Sequence, residues 1–332
     1  MKQSKVILFS IVSMVGILLC IMGSLALGAR FVSINEVIDA LINRENTSFA
    51  ALVVRERIPR TVFSLLAGAA LGVSGAIMQA ITRNPIADPS ILGVNTGASL
   101  FVVCGIAFFR INTASQYIWF ALAGAAITAV FVYGIGSLGY GGATPIKLAL
   151  AGAATGAALS SLVSAIILPR TEVMNSFRFW QVGSVSGATW EGIASVSPFL
   201  MIGIIIAMLS TPALNAMALG DDMATGLGVR TGVVRITSAF AGVMLCGATT
   251  ALAGPIGFVG LMIPHTVRLI CGPDLKVIIP LSAVGGAMLL TVSDIIGRLL
   301  GNPGELEAGI ITAFFGAPIL IIVAKRAKER SL

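Results

Sequence analysis

Arg57, Arg60 and Arg298 are charges in a chain that carries few, and each borders a long apolar run. Arg57 and Arg60 bracket a proline in R-I-P-R, immediately before Thr61–Ile81, a stretch of 21 residues without a charge. Arg298 follows Asp294 by four positions in S-D-I-I-G-R, and an Asp and an Arg at i and i+4 share a helix face and can pair. A guanidinium is a rigid fork of donors that fits a carboxylate. The chemistry expected of Arg57, Arg60 and Arg298 is therefore recognition of an acidic partner, a docking role. Arg55, in the same cluster, reads equally well as an interfacial arginine whose stem lies along apolar surface.

Bond-making chemistry has little to work with. No G-x-x-x-x-G-K-[ST] phosphate cradle occurs. The single histidine, His265, follows Pro264 and reads as a polar residue at a helix start. Cys20, Cys104, Cys246 and Cys271 are scattered through apolar runs without metal-ligand spacing and read as small packing residues. No catalytic residue, metal site or cofactor is expected.

The elements that position these charges are membrane spans. The chain is 57% hydrophobic and 11% charged, with mean hydropathy +0.99, whereas soluble domains carry about 25% charged residues. Apolar runs with at most one charge approach the roughly 20 residues that cross a bilayer as a helix. They fall at Val6–Leu27, Thr61–Ile81, Thr96–Phe109, Tyr117–Leu138, Leu148–Leu168, Gly192–Ser210, Ile236–Ala253, Gly257–Ile270, Val277–Ile296 and Gly309–Ala324. The third and eighth are short and interrupted, so they read as either spanning or re-entrant. The expected fold is an all-α polytopic membrane protein of about ten transmembrane helices, one membrane domain over 1–332. The first run is too long for a signal peptide and reads as a retained span.

Ten spans with an inner N-terminus leave twelve Lys/Arg and five Asp/Glu inside, against nine and nine outside. The tail with Lys325, Arg326, Lys328 and Arg330 then lies inside, as the positive-inside tendency requires. The net charge of +7 thus needs no nucleic-acid partner. The same topology puts Arg55, Arg57 and Arg60 in an outer loop. The span after them carries Gly68, Gly72, Gly75 and Gln79. Its small residues permit close helix contact, and its polar ends suggest a helix that lines something.

Ala218–Gly228 lies in an inner connection. Its glycines allow tight turns around a short helix, which Asp221 and Asp222 can cap; by spacing alone it is equally a solvated loop or a docking element. Asn84-Pro85-Ile86 and Ala143-Thr144-Pro145 fall in two other inner connections, where proline ends helices. Thr155, Ser160, Ser161 and Ser164 put hydroxyls on the fifth span, facing either a wet path or their own backbone.

The chain resembles the permease subunits of type II ATP-binding-cassette importers, the FecCD type, which carry iron-siderophores, haem and vitamin B12. The resemblance rests on motifs in order along nearly the whole chain: R-I-P-R at 57–60, G-A-A-L-G-V-S-G-A-I-M-Q at 68–79, R-N-P-I-A-D-P-S-I-L-G-V at 83–94, L-G-D-D-M-A-T-G-L-G at 219–228, G-P-I-G-F-V-G-L-M-I-P-H-T-V-R at 254–268, S-D-I-I-G-R at 293–298 and G-E-L-E-A-G-I-I-T-A-F-F-G-A-P at 304–318. It implies a dimer of permease subunits, of this chain or a homologous one, in the bacterial cytoplasmic (inner) membrane, with a central path. Two cytoplasmic ATP-binding subunits and an extracytoplasmic substrate-binding protein complete the complex, with ferric siderophore the first-choice cargo, then haem or cobalamin.

By the same resemblance Arg57, Arg60 and Arg298 receive glutamates of the binding protein. Ala218, Leu219, Gly220, Asp221, Asp222, Met223, Ala224, Gly226, Leu227 and Gly228 couple to the ATPase, and a cytoplasmic gate lies near Asn84, Ile86 and Thr144. Glu307 departs from the family, which often has proline there, and adds a negative charge near Arg298. The other class of function is an ion-coupled secondary transporter. That class needs ionisable groups deep in the spans, and Asp294, the main candidate, already has Arg298 as a partner.

Overall fold

Glycines decide which helices meet at the centre. In the computed structural model, which describes residues 2–43, 45–139, 144–301 and 304–329, helix α3 (Phe49–Thr82) is packed on several sides. An added Cβ at Gly68 would lie 2.2 Å from the carbonyl oxygen of Gly286, and one at Gly75 would lie 1.8 Å from that of Gly260. Backbone thus meets backbone with no side chain between, which is how small residues hold helices together in lipid. Helix α3 is the axle of the subunit, with 78% of its apolar window buried.

The remaining helices are α1 (Lys2–Ala26), α2 (Ile34–Ile42), α4 (Val94–Phe109), α5 (Ala114–Gly136), α6 (Pro145–Ile167), α7 (Thr171–Val182), α8 (Trp190–Met217), α9 (Asp221–Gly226), α10 (Thr231–Ala253), α11 (Val259–Cys271), α12 (Leu275–Leu300) and α13 (Ala308–Glu329). Six of them, α3, α5, α6, α8, α10 and α12, are long and apolar enough to span. Four shorter apolar helices, at Ile11–Ala26, Val94–Phe109, Val259–Cys271 and Ala308–Ile319, bring the total to the ten expected from sequence. Ala143 and Arg330, named above, lie outside the described residues.

The 34 residues of α3 rise about 51 Å, well beyond a core of about 30 Å. Its first turns therefore project past the apolar layer. Arg55, Arg57 and Arg60 sit on those turns, not in a loop. Pro59 lies inside the helix; it lacks an N–H but keeps a helical φ, so the helix continues with one carbonyl unserved. The projecting end is braced by α2, whose capping box has Ser33 accepting from Glu36 N–H while the Glu36 carboxylate accepts from Ser33 N–H. These bonds hold the Glu36 carboxyl below its ordinary range, the Ser33 hydroxyl contributing most. Val37 and Ala40 of α2 pack with Leu25 and Ala26 of α1 and with Ala51 and Val54 of α3.

Helices α4 and α11 are short for a crossing: 16 and 13 residues rise about 24 and 20 Å. Non-helical segments, 83–93 around a 3-10 turn at Pro89–Leu92 and 254–258, lead into them. Non-helical backbone at membrane depth must be covered by protein, and here it is: Ala87, Leu92 and Ile256 are buried. Pro264 in α11 deprives the Gly260 carbonyl of its helical donor. Gln79 of α3 supplies one, donating from Nε2 to the oxygens of Gly260 (3.3 Å) and Leu261 (3.1 Å). His265 sits mid-helix in α11 rather than at a helix start.

In contrast with α3, only 17% of the α6 window is buried, so α6 offers its surface to lipid or to another subunit. Its hydroxyls settle between the two sequence readings at two positions: Ser161 donates to Ala157 O and Ser164 to Ser160 O.

The α3 contacts predict the outcome of two glycine replacements. Gly75→Ala should cost about 3 kcal/mol, near the upper end of overpacking, read as a lowered thermal midpoint in detergent. Gly134→Ala in α5, where a Cβ would meet nothing within 4 Å, should instead stabilise by up to about 1 kcal/mol.

Candidate functional site

Two ionic clusters stand at opposite ends of α3. Arg57 and Arg83 are 26 residues apart on or beside this helix, or about 39 Å along its axis.

At the first end, the α12 carboxylate of Asp294 lies between two guanidiniums. Arg60 donates from Nη2 (2.7 Å) and Nε (3.0 Å) to Oδ1. Arg298, one turn along α12, pairs with Oδ2 at 3.1 Å, as its i, i+4 spacing required. Asp294 and Arg298 are each 1% exposed; a charge that deep in protein is tolerable only when paired and hydrogen-bonded. Arg298 donates further to the Ser24 carbonyl and hydroxyl, both at 2.9 Å. The Ser24 hydroxyl is in turn 2.7 Å from that of Thr61. Arg298 therefore presents no edge to solvent. Its guanidinium ties α12 to α1.

Arg57 is half-buried and donates to the carbonyls of Leu25 (2.8 Å), Ala26 (3.2 Å) and Arg30 (2.7 Å). The first two are carbonyls at the end of α1, Ala26 O also accepting from Val32 N–H at 2.9 Å, and a cation there meets the negative end of the helix dipole. The third nitrogen of Arg60, Nη1, donates to Glu305 Oε2 at 2.8 Å. Glu305 lies on the α12–α13 connection, and its side chain is 41% exposed. The surface open to a partner at this end is thus formed by Arg57, the Nη1 edge of Arg60, and Glu305.

At the other end, α9 is flanked by two glycines in the left-handed region, Gly220 (φ 119°) and Gly228 (φ 83°). The expected capping by Asp221 and Asp222 does not occur. Gly220 is the N-cap and makes no side-chain cap bond, because both acids fall inside the first turn. There they still meet the positive end of the helix, but the Asp221 carboxylate turns to arginines. Arg83, in the left-handed conformation that closes α3 (φ 50°), pairs with Oδ1 at 2.6 Å and also donates to Met217 O at the end of α8. Arg235 of α10 pairs with Oδ2 at 3.0 Å. Asp222 is exposed.

Three helix ends are thereby fixed to one short helix, with Ala224 fully buried beneath it. On the outer side Leu219, Met223 and Leu227 are 66, 61 and 65% exposed. Met223 lies on α9, while Leu219 precedes it and Leu227 is its C-cap residue. Ala218 and Leu219 lead into α9, and Gly226 has open space around it.

Asn84 and Thr144 do local structural work in this structure. Asn84 Oδ1 accepts from Ile86 N–H at 3.0 Å, and Thr144 Oγ1 caps α6 by accepting from Lys147 N–H at 3.4 Å. No hydrogen bond joins these two connections among the described residues. Among those residues, too, no group of His, Cys, Asp and Glu could hold a metal, and the four cysteines are free.

Sequence reasoning missed Arg83, Arg235 and Glu305 as members of these clusters. Arg83 heads the R-N-P motif and Glu305 the G-E-L motif, so each lay in view, but the partners are 138 and 245 residues away.

The two carboxylates on Arg60 should behave differently when neutralised. Asp294→Asn should cost about 3–5 kcal/mol, the cost of leaving a buried charge unpaired. Glu305→Gln should change stability by no more than about 1 kcal/mol. Thermal unfolding in detergent reads both.

The family model for the FecCD transport family matches residues 16–326. The chain is 40% identical over 303 residues to the ferric enterobactin transport system permease protein FepD of Escherichia coli, covering 91% of this chain and 90% of that protein. It is 39% identical over 306 residues to the Fe(3+)-citrate import system permease protein YfmD of Bacillus subtilis, covering 92% and 91%. Its fold superposes with a TM-score of 0.82 on a solved chain described as a metal-chelate type ABC transporter in an inward-facing conformation, at 24% identity over 98% of this chain and 99% of that one.

Proposed function

Because the chain belongs to the FecCD transport family, we propose that it is the membrane-spanning permease of an ATP-driven importer that moves a metal chelate, a ferric siderophore, across the bacterial cytoplasmic membrane. Residues 1–332 act as one transport domain, paired with a second permease subunit. The observation that carries this reading is the α9 segment: a short helix, anchored by Asp221 to the ends of α3 and α10, with Met223 on it and Leu219 and Leu227 beside it as exposed apolar side chains. An apolar stripe without cover marks a place where another protein sits.

The chain has no phosphate cradle of its own, so the partner at α9 is the ATPase. The Lys/Arg excess puts α9 and both termini in the cytoplasm. The Arg57 end then faces outward and receives the substrate-binding protein, whose acidic groups meet Arg57 and Arg60, with Arg298 supporting them from inside through Asp294. ATP binding and hydrolysis change the spacing of the two ATPase subunits. Helix α9, and with it Ala218–Gly228, passes that change to α3, α8 and α10, and the path opens alternately to each side. Asn84, Ile86 and Thr144, in connections at the cytoplasmic end, form the constriction there.

Relatives named for ferric enterobactin and for Fe(3+)-citrate are equally similar to this chain. Cargo identity is accordingly read mainly by the binding protein, with haem and cobalamin as the alternatives.

Three serines at Leu219, Met223 and Leu227 should lower co-purification of the ATPase about tenfold or more, since buried apolar anchors dominate such interfaces. The permease should still insert and fold. Arg57→Glu should weaken binding-protein docking at low salt, most of all in the association rate. Uptake of ferric siderophore into vesicles that runs on an ion gradient without the ATPase would overturn the proposal.

A further inference from the structure

We infer that Glu305 occupies the seat of a partner carboxylate on Arg60, so that docking of the acidic partner is an exchange of one carboxylate for another. The inference rests on the docking reading above and assigns a competitor within the permease itself.

The two sides of the Arg60 fork are held in different ways. Its Nε and Nη2 face Asp294, a helix residue that is 1% exposed and bonded on its far side to Arg298. That side cannot release its partner without stranding a buried charge. Its Nη1 faces Glu305, on a connection between helices, with a side chain 41% exposed. Glu305 can turn to water at little cost, because exposed ion pairs contribute little. The geometry therefore leaves one replaceable carboxylate position on a guanidinium whose orientation the other carboxylate fixes. A charge-assisted hydrogen bond to an incoming carboxylate is favoured by a guanidinium already oriented in this way.

The charge count points to an anion as the incoming group. Arg57, Arg60 and Arg298 carry three positive charges, and Asp294 and Glu305 carry two negative ones. The cluster lacks one carboxylate for balance. An arriving Glu or Asp supplies it, takes Nη1, and releases Glu305 to solvent. In the free permease Glu305 keeps Arg60, only 12% exposed at its side chain, from facing an unpaired donor. In the complex, displacement of Glu305 subtracts from affinity and keeps docking reversible, which a transport cycle requires.

The test is the affinity of the purified substrate-binding protein of the same system for the complete transporter in nanodiscs, at low salt. Glu305→Gln and Glu305→Ala should each tighten binding about two- to fivefold, the scale of an exposed ion pair removed as competitor. Glu307→Gln is the control for overall charge: Glu307, two residues on, makes no ion pair among the described residues, and its loss should change affinity less than twofold. Arg60→Lys keeps a charge beside Asp294 but loses the fork; it should weaken binding about tenfold and abolish the gain from Glu305→Gln in the double variant.

Tightening by Glu307→Gln equal to that by Glu305→Gln would overturn the exchange, since a general field would explain both. So would unchanged or weaker binding in both Glu305 variants while Arg60→Lys still weakens it, which leaves the docking reading in place. If Arg57→Glu and Arg60→Lys both leave affinity unchanged, the docking reading fails and the exchange with it.

Discussion

Close backbone approaches between α3 and its neighbours hold the centre of the subunit, and the remaining architecture depends on them. At Gly68 and Gly75 the helix lies against carbonyl oxygens of α12 and α11 with no room for a methyl group. In lipid there is no hydrophobic drive to bring apolar helices together, so contact of this kind, with van der Waals packing and a few hydrogen bonds, must supply the association. Ser64 to Thr291 (2.8 Å) and Ser74 to Gly242 O (2.6 Å) add such bonds along the same helix. With α3 held this way, both of its ends become fixed points, and both carry arginines.

The two ends use those arginines differently. At the Arg57 end Asp294 is buried between Arg60 and Arg298, so this pairing is part of the packing and cannot be exchanged. At the α9 end Asp221 is 45% exposed at its side chain and is shared by Arg83, 44% exposed, and Arg235, 20% exposed. Ion pairs in water contribute little to stability, so this second cluster serves to position α9 more than to hold the subunit together. A joint of low strength that still sets direction suits the coupling proposed for α9. One rigid helix connects the buried cluster to the exposed one.

Much of this was legible in the sequence, and the rest was hidden for identifiable reasons. The apolar runs marked ten crossings, because hydropathy reports on solvent directly. The Asp294–Arg298 pair was legible because i and i+4 geometry is local, and the glycines of α3 announced close contact. Arg60 and Asp294 are 234 residues apart, and nothing local connects them; only the packing of α3 on α12 does. The same holds for Arg83 and Arg235 on Asp221, which drew the acid away from the capping role its position suggested. Two local signals were present and went unread: the capping box at Ser33–Glu36, which starts α2, and Ser48, which accepts from Ala51 N–H and starts α3 twelve residues before its apolar run.

The exposed stripe of Leu219, Met223 and Leu227 also bears on how the subunit fares before it has a partner. Each of these side chains forgoes about 1.5–3 kcal/mol of burial while it stands in water. A copy made in excess therefore presents adhesive surface to whatever it meets, chaperone, protease or another stray copy. Under the proposed assembly, a partner that covers these three side chains removes that surface.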